Sequence, residues 1–128
     1  MANIPDDRKY TREHEWVLLV GKDKARVGIT DHAQRQLGDL VFVELPDVGR
    51  QLELGDPFGV VESVKSASDI FTPLTGKVSG RNDLLSDEPE TINDDPYMDG
   101  WIVELTITKP AELNDLLSPA DYKAFLSE

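Results

Sequence analysis

The chain has no cysteine. That excludes disulfides, a cysteine nucleophile and thiolate metal sites, so any sulfur chemistry has to arrive on a prosthetic group. It has no apolar run near the roughly 18 residues that a membrane-crossing helix needs, and no membrane partner is expected. Basic charge is scarce: 13 Lys and Arg face 25 Asp and Glu, for a formal net charge of -12. Such a chain repels the phosphate backbone of nucleic acid and an anionic lipid surface. It suits a soluble, monomeric shuttle whose partners present basic patches. The two histidines, His14 and His32, are distant in sequence and follow no ligand spacing, so no metal site is expected. No nucleophile, base and orienting group stand at plausible spacing, which argues against an enzyme. The opening Met1-Ala-Asn-Ile-Pro-Asp-Asp-Arg8 carries no apolar signal region and no Arg/Ser-rich run. No targeting peptide is expected from it, which favours a bacterial cytoplasmic protein over a processed mitochondrial matrix form.

What is present reads as one domain over residues 1–128, long enough to bury roughly 65% of the unfolded surface. Trp16–Val20 and Ala25–Ile29 are strand-like around the turn Gly21–Lys24. Thr30 can cap a short helix over 31–37 that Gly38 closes. Leu40–Leu45 is a further strand, followed by turns at Pro46–Gly49 and Leu54–Pro57. Beyond a turn at Pro73–Gly76, Lys77–Gly80 is a short strand, 83–90 a polar loop and Gly100–Ile107 a strong late strand. Pro110 can open a helix, and Ser118 restarts it with Tyr122, Phe125 and Leu126 on the apolar face. Short strands punctuated by Gly and Pro imply a β sandwich or barrel with helices at its rim. Gly55-Asp-Pro-Phe-Gly-Val-Val-Glu62 also echoes Asp94-Asp-Pro-Tyr-Met-Asp-Gly-Trp-Ile-Val-Glu104, as two quasi-equivalent halves would.

The most informative residue is Lys65, in Gly59-Val-Val-Glu-Ser-Val-Lys-Ser-Ala-Ser-Asp-Ile70. Val60, Val61 and Val64 lead in as strand formers, and Ile70-Phe71 resume the pattern. The small and polar run between them reads as a hairpin with one lysine near its tip, uncrowded by Ser66, Ala67 and Ser68. An amine presented this way is open to acylation. Lysines at turns more often only keep a strand edge soluble, and this pattern alone would not outweigh that.

The rest of the chain adds weight. His14-Glu-Trp16, Val27-Gly-Ile-Thr-Asp-His-Ala-Gln34, Leu37-Gly-Asp-Leu-Val-Phe-Val-Glu-Leu-Pro46, Val61-Glu-Ser-Val-Lys65, Ser68-Asp69, Asp95-Pro-Tyr97 and Gly100-Trp101 stand in one order from Tyr10 to Leu126, with Pro73, Gly76, Asn82 and Asn93 between them. Together they make the chain resemble the H proteins of glycine cleavage. The resemblance implies a mainly β fold, the lipoyl/biotinyl-type flattened β-barrel (barrel-sandwich hybrid), with a short helix in the first half and C-terminal helices. It implies that Lys65 carries lipoate as an amide, put there by a lipoate-attaching enzyme. The carrier would take an aminomethyl group from the glycine decarboxylase (P protein) to the tetrahydrofolate-dependent aminomethyltransferase (T protein). Dihydrolipoamide dehydrogenase (L protein) would reoxidise the arm.

The same resemblance suggests that Glu62 and Asp69 help enzymes recognise the hairpin, although acids beside a lysine also simply set the local field. It suggests that Glu15 lines a cleft for the loaded arm, where its negative charge would attract an aminomethyl ammonium. Gly55 and Gly76 read as turn glycines, Trp101 as core, Tyr97 as packing beside the second-half turn, and His32 as a surface or packing residue. Asp83, Asp87, Glu88 and Glu90 read as solvated. Met98, where the family often has a small or acidic residue, puts local packing in question. A dehydrogenase lipoyl domain or a biotinyl domain would flank the lysine differently: here Val64 and Ser66 do so. A free-standing enzyme built on His14 and Glu15 would turn over without a prosthetic group.

Overall fold

Alternation sets the first hairpin. A computed structural model of the chain describes residues 3–127. In it strand β1 (Lys9–Tyr10) pairs with β2 (Glu15–Leu19), and β2 pairs with β3 (Lys24–Ile29). Ala25, Val27 and Ile29 of β3 all point inward and are buried, as a period of two requires. Thr30 then caps helix α1 (Asp31–Leu37): its hydroxyl accepts from Ala33 N at 3.2 Å. Gly38 ends that helix at φ 82° and ψ -160°, a backbone conformation that only glycine adopts without strain.

The remaining strands are β4 (Leu40–Glu44), β5 (Gln51–Leu52), β6 (Pro57–Ser63), β7 (Ala67–Phe71), β8 (Gly76–Arg81) and β9 (Val103–Ile107). They form a six-stranded sheet in the order β1-β2-β3-β9-β8-β5 and a three-stranded sheet in the order β4-β6-β7. Val27, Val103 and Leu105 of the first sheet share one aliphatic core with Val43, Val61 and Ile70 of the second. Apart from Phe58, which joins that core, the buried aromatic side chains gather elsewhere: Tyr10, Trp16, Tyr97 and Tyr122 form a separate buried cluster. The Tyr10 and Tyr122 rings stack 4.7 Å apart, and the buried Arg8 guanidinium lies 4.8 Å from the Trp16 ring.

Several elements differ from the sequence reading. The expected polar loop 83–90 contains helix α2 (Leu84–Asp87), and α3 (Thr91–Asp94) follows it. Each is one turn held by a single buried residue, Leu85 or Ile92, which is too little for a periodic signal. The late strand starts at Val103 rather than Gly100, because Gly100 N bonds Asp95 O (2.8 Å) and closes a turn first. The helix expected at Pro110 is a 3₁₀ segment, Pro110–Asp115. Helix α4 (Pro119–Leu126) follows, capped by Ser118. Gly55 does turn the chain, at φ 90°, but Gly76 lies within β8, where a side chain would collide with the Thr106 carbonyl. Met98 is 63% exposed, so it disturbs no packing. Trp101 is half-buried, with Arg26 4.5 Å from its ring.

The internal echo is matched in structure only at its end. Val61 and Val103 are both buried, in β6 and β9, each of which has an antiparallel neighbour on both sides. Only their last residues correspond in this way: the first copy is strand from Pro57, whereas the second enters β9 only at Val103. Among the described residues no helix is long and apolar enough to cross a membrane.

Candidate functional site

Strands β6 and β7 pair in register Val60↔Asp69, Val61↔Ser68 and Glu62↔Ala67, leaving Val64, Lys65 and Ser66 as the tip. Ser63 organises that tip. Its backbone N donates to Ser66 O at 2.7 Å, and its hydroxyl donates to the same carbonyl at 3.2 Å. The hydroxyl also accepts from Lys65 N (3.3 Å) and Ser66 N (3.1 Å). One serine side chain thus satisfies groups that no ladder reaches. Lys65 is exposed and, among the described residues, belongs to no ion pair. Its stem crosses the end of α1: a Cβ at Gly38 would stand 3.5 Å from Lys65 Cε and 3.8 Å from Nζ. Asn93 of α3 fixes this floor. Its amide donates to Gly38 O and to Gln34 Oε1, both at 2.9 Å, and its oxygen accepts from Leu40 N at 2.9 Å.

Two clefts open beside the hairpin. The smaller, about 150 Å³, runs between β7 and α1, from Ser68, Asp69 and Ile70 past Leu37 to Glu13 and Glu15. The larger, about 490 Å³, lies beyond those two glutamates against Leu54, Phe71, Pro73 and Leu116. Glu13 and Glu15 line both, and neither cleft is lined by any Lys or Arg. The space is therefore acidic at its polar points and apolar on its walls, which fits an aliphatic chain ending in a cation.

Glu15 is 3% exposed. Its carboxyl accepts from Phe71 N at 2.9 Å and from the Thr11 hydroxyl at 3.3 Å. Burial pushes its pKa up to about 8 against the pull of those two hydrogen bonds, so in the empty cleft it holds a proton near neutrality.

The expected site residues fall into two groups. Asp69 and Glu15 line the same small cleft. Glu62 does not reach it: it is half-buried on the outward face of β6, level with Phe42 and Ala67. The histidines, distant in sequence, are neighbours in space, with ring centroids 4.6 Å apart. The β2–β3 hairpin returns the chain to its start, and Thr30 N bonds His14 O at 3.0 Å. Among the described residues, no three His, Asp or Glu could enclose a metal ion. Instead His14 Nδ1 meets the Tyr122 hydroxyl at 2.9 Å, and that hydroxyl meets Thr30 Oγ1 at 2.8 Å. Burial, and next the neighbouring His32, holds His14 below the ordinary histidine range. Its φ of 66° gives the sharp turn that aims Glu15 inward from the start of β2.

Sequence reasoning singled out neither Ser63 nor Phe42. An ST turn at a hairpin tip is a local signal that was available for the first. Nothing in the alternation of β4 distinguishes the second.

Residues 8–128 match the family model for the glycine cleavage H-protein. The glycine cleavage system H protein of Chromohalobacter salexigens is 52% identical over 127 residues, 99% of this chain and 97% of that protein. That of Symbiobacterium thermophilum is 55% identical over 128 residues, 100% and 99% of the two chains. The crystal structure of a glycine cleavage system H protein from Mycobacterium marinum matches with a TM-score of 0.88 at 38% identity, covering 98% of this chain and 100% of that one.

Proposed function

This chain belongs to the glycine cleavage H-protein family, and on that premise we propose that it is a one-domain carrier, over residues 1–128, whose Lys65 bears lipoate as an amide. The observation that carries this reading is an exposed lysine, free of ion pairs among the described residues, on a rigid tip beside an acidic, apolar-walled cleft in a chain without cysteine. Bound there, lipoate would supply the sulfur chemistry that the chain lacks, for an aminomethyl group passing between the P and T proteins and for reoxidation by the L protein. The chain itself catalyses none of these steps.

Its residues bind, orient and shield. Ser63 keeps Lys65 turned outward, and acylation removes the lysine's charge from the tip. Leu37, Ile70 and Val61 give an aliphatic arm a wall and keep water from it. Glu15, at the far end of the same cleft, takes the amine. An amine arriving uncharged would take the proton that burial keeps on the Glu15 carboxyl, and the resulting ion pair would be held out of water. Glu62 and Asp69, on the flank of the hairpin, would contribute to its recognition by the lipoate-attaching enzyme. The protein would work in the bacterial cytoplasm.

The test is the intact mass of wild type and Lys65→Arg from cells given lipoate. Wild type should gain one lipoyl amide and the variant none. An unmodified wild type, beside a control domain that is modified, would return Lys65 to an ordinary solvated turn.

A further inference from the structure

The outward face of the three-stranded sheet carries more than the two acids named above. Two cross-strand rows cover it: Phe42–Glu62–Ala67, and below it Glu44–Val60–Asp69. The register of β4 shifts between Leu40 and Phe42. Strict alternation would turn one of two consecutive residues inward; the bulge instead leaves Val41 and Phe42 both in solvent, 54% and 49% exposed. Leu40 lies opposite Ser63, so these side chains stand next to the tip, where Val64 is 78% exposed. An aromatic and two valines are thus exposed on the strands and tip that carry Lys65, with Glu44, Glu62 and Asp69 on the adjoining rows. Exposed apolar residues scattered singly mean little, but three gathered at a bulge beside one reactive amine form a patch.

We propose that this face, with Val41, Phe42 and Val64 as its apolar anchor and Glu44, Glu62 and Asp69 as its acidic rim, is the surface gripped by the enzyme that acylates Lys65. The proposal rests on the carrier reading and goes beyond it by assigning a partner to a surface. Reach selects the occupant. Before modification Lys65 offers only its own four-carbon stem. The acylating enzyme must bring its acyl carbon to Nζ, so it has to touch the residues at the tip. Later partners meet the far end of a longer arm. In the step served, Nζ gives up a proton and attacks the carbonyl of a lipoyl adenylate, made from lipoate and ATP with loss of pyrophosphate. The C–N bond forms, the C–O bond to the phosphate breaks, and AMP leaves. The acidic rim calls for basic residues around an apolar socket on the enzyme.

The experiment follows acylation of the full chain by a lipoate ligase with lipoate and ATP. Wild type is compared with Phe42→Ser, Val64→Ser and, as a control, Leu19→Ser, which is equally exposed on the other sheet. Phe42→Ser should raise KM about tenfold, as loss of an aromatic anchor does, with kcat little changed. Val64→Ser should do so less, and Leu19→Ser not at all. Phe42→Ser protein that excess ligase has fully lipoylated should be reoxidised by dihydrolipoamide dehydrogenase at the wild-type rate, with an unchanged Tm. Equal acylation of wild type and Phe42→Ser overturns the proposal, as does an equal loss in Leu19→Ser. A matching loss in the reoxidation step overturns the assignment to the acylating enzyme. A wild type that is never modified overturns the carrier reading as well, and so is told apart from failure of the surface alone.

Discussion

The tip that presents Lys65 comes from one unbroken stretch, Pro57–Phe71, and its polar groups are satisfied within that stretch by Ser63. The far end of the cleft is built the other way. Glu15 is held by Thr11 on its own turn and by the backbone of Phe71, 56 residues away. The turn that aims it is braced by Tyr122, 108 residues from His14. The tip is exposed and local, whereas the receiving end is buried and assembled from distant strands, a helix and the C-terminal segment. A carrier gains from that division: the modified residue must be open to several enzymes, while the cargo must be kept from water.

The largest expected contrast is in pH dependence. Glu15 has a folded pKa of about 8 against an ordinary value of 4.5. The neutral form is thus the one folding favours. Stability is fully present below about 4.5 and is lost as pH rises through about 8. Replacing the carboxyl with an amide removes this loss. Glu15→Gln should therefore outlast wild type in urea at pH 9 by on the order of a few kcal/mol, with the two converging near pH 4. Parallel curves across that range would mean that Glu15 is ionised at rest, and the contrast between an exposed lysine and a buried, protonated glutamate would break.

Tyr122→Phe tests the long-range half by deleting one hydroxyl. That hydroxyl joins Thr30 Oγ1 and His14 Nδ1 in a fully buried place. Both partners would lose a bond, for a cost of roughly 1–3 kcal/mol in global stability. Tm should fall, and the imidazole shift seen by NMR titration should move with it, because His14 loses its ring-nitrogen partner. An unchanged titration would show that the hydroxyl does not orient His14.

Which parts were legible in the sequence follows the same division. The hairpins around Gly21–Lys24 and Lys65, the Thr30 cap, the Gly38 stop and the Ser118 restart all rest on contiguous residues, and the structure has each of them. Helices α2 and α3 were missed because one buried residue per turn carries no period. The histidine pair was misplaced because sequence distance says nothing of a hairpin that brings residue 30 back to residue 14. Glu15 was reached only through resemblance. Its neighbours alone would not single it out, since the partner that holds its carboxyl includes the backbone of Phe71, far along the chain. The Val41–Phe42 bulge was invisible for a related reason: a register shift belongs to a pair of strands, not to either one.

Ser63→Ala is the smallest change and the sharpest comparison with Tyr122→Phe, because it too removes a single hydroxyl. Its four contacts all close on residues 63 to 66, and alanine keeps the backbone bond from Ser63 N to Ser66 O. The two amide groups it served are at an exposed tip, where water can replace the lost acceptor, so the cost should be about 1 kcal/mol or less. Tm should hardly move. What should change is local: faster amide exchange at Lys65 and Ser66, and slower acylation of Lys65, because a looser tip must be ordered at the enzyme's expense. If Ser63→Ala lowered Tm as much as Tyr122→Phe does, the tip would be part of the global fold. The separation between an autonomous presenting hairpin and a cooperative receiving cleft would then be lost.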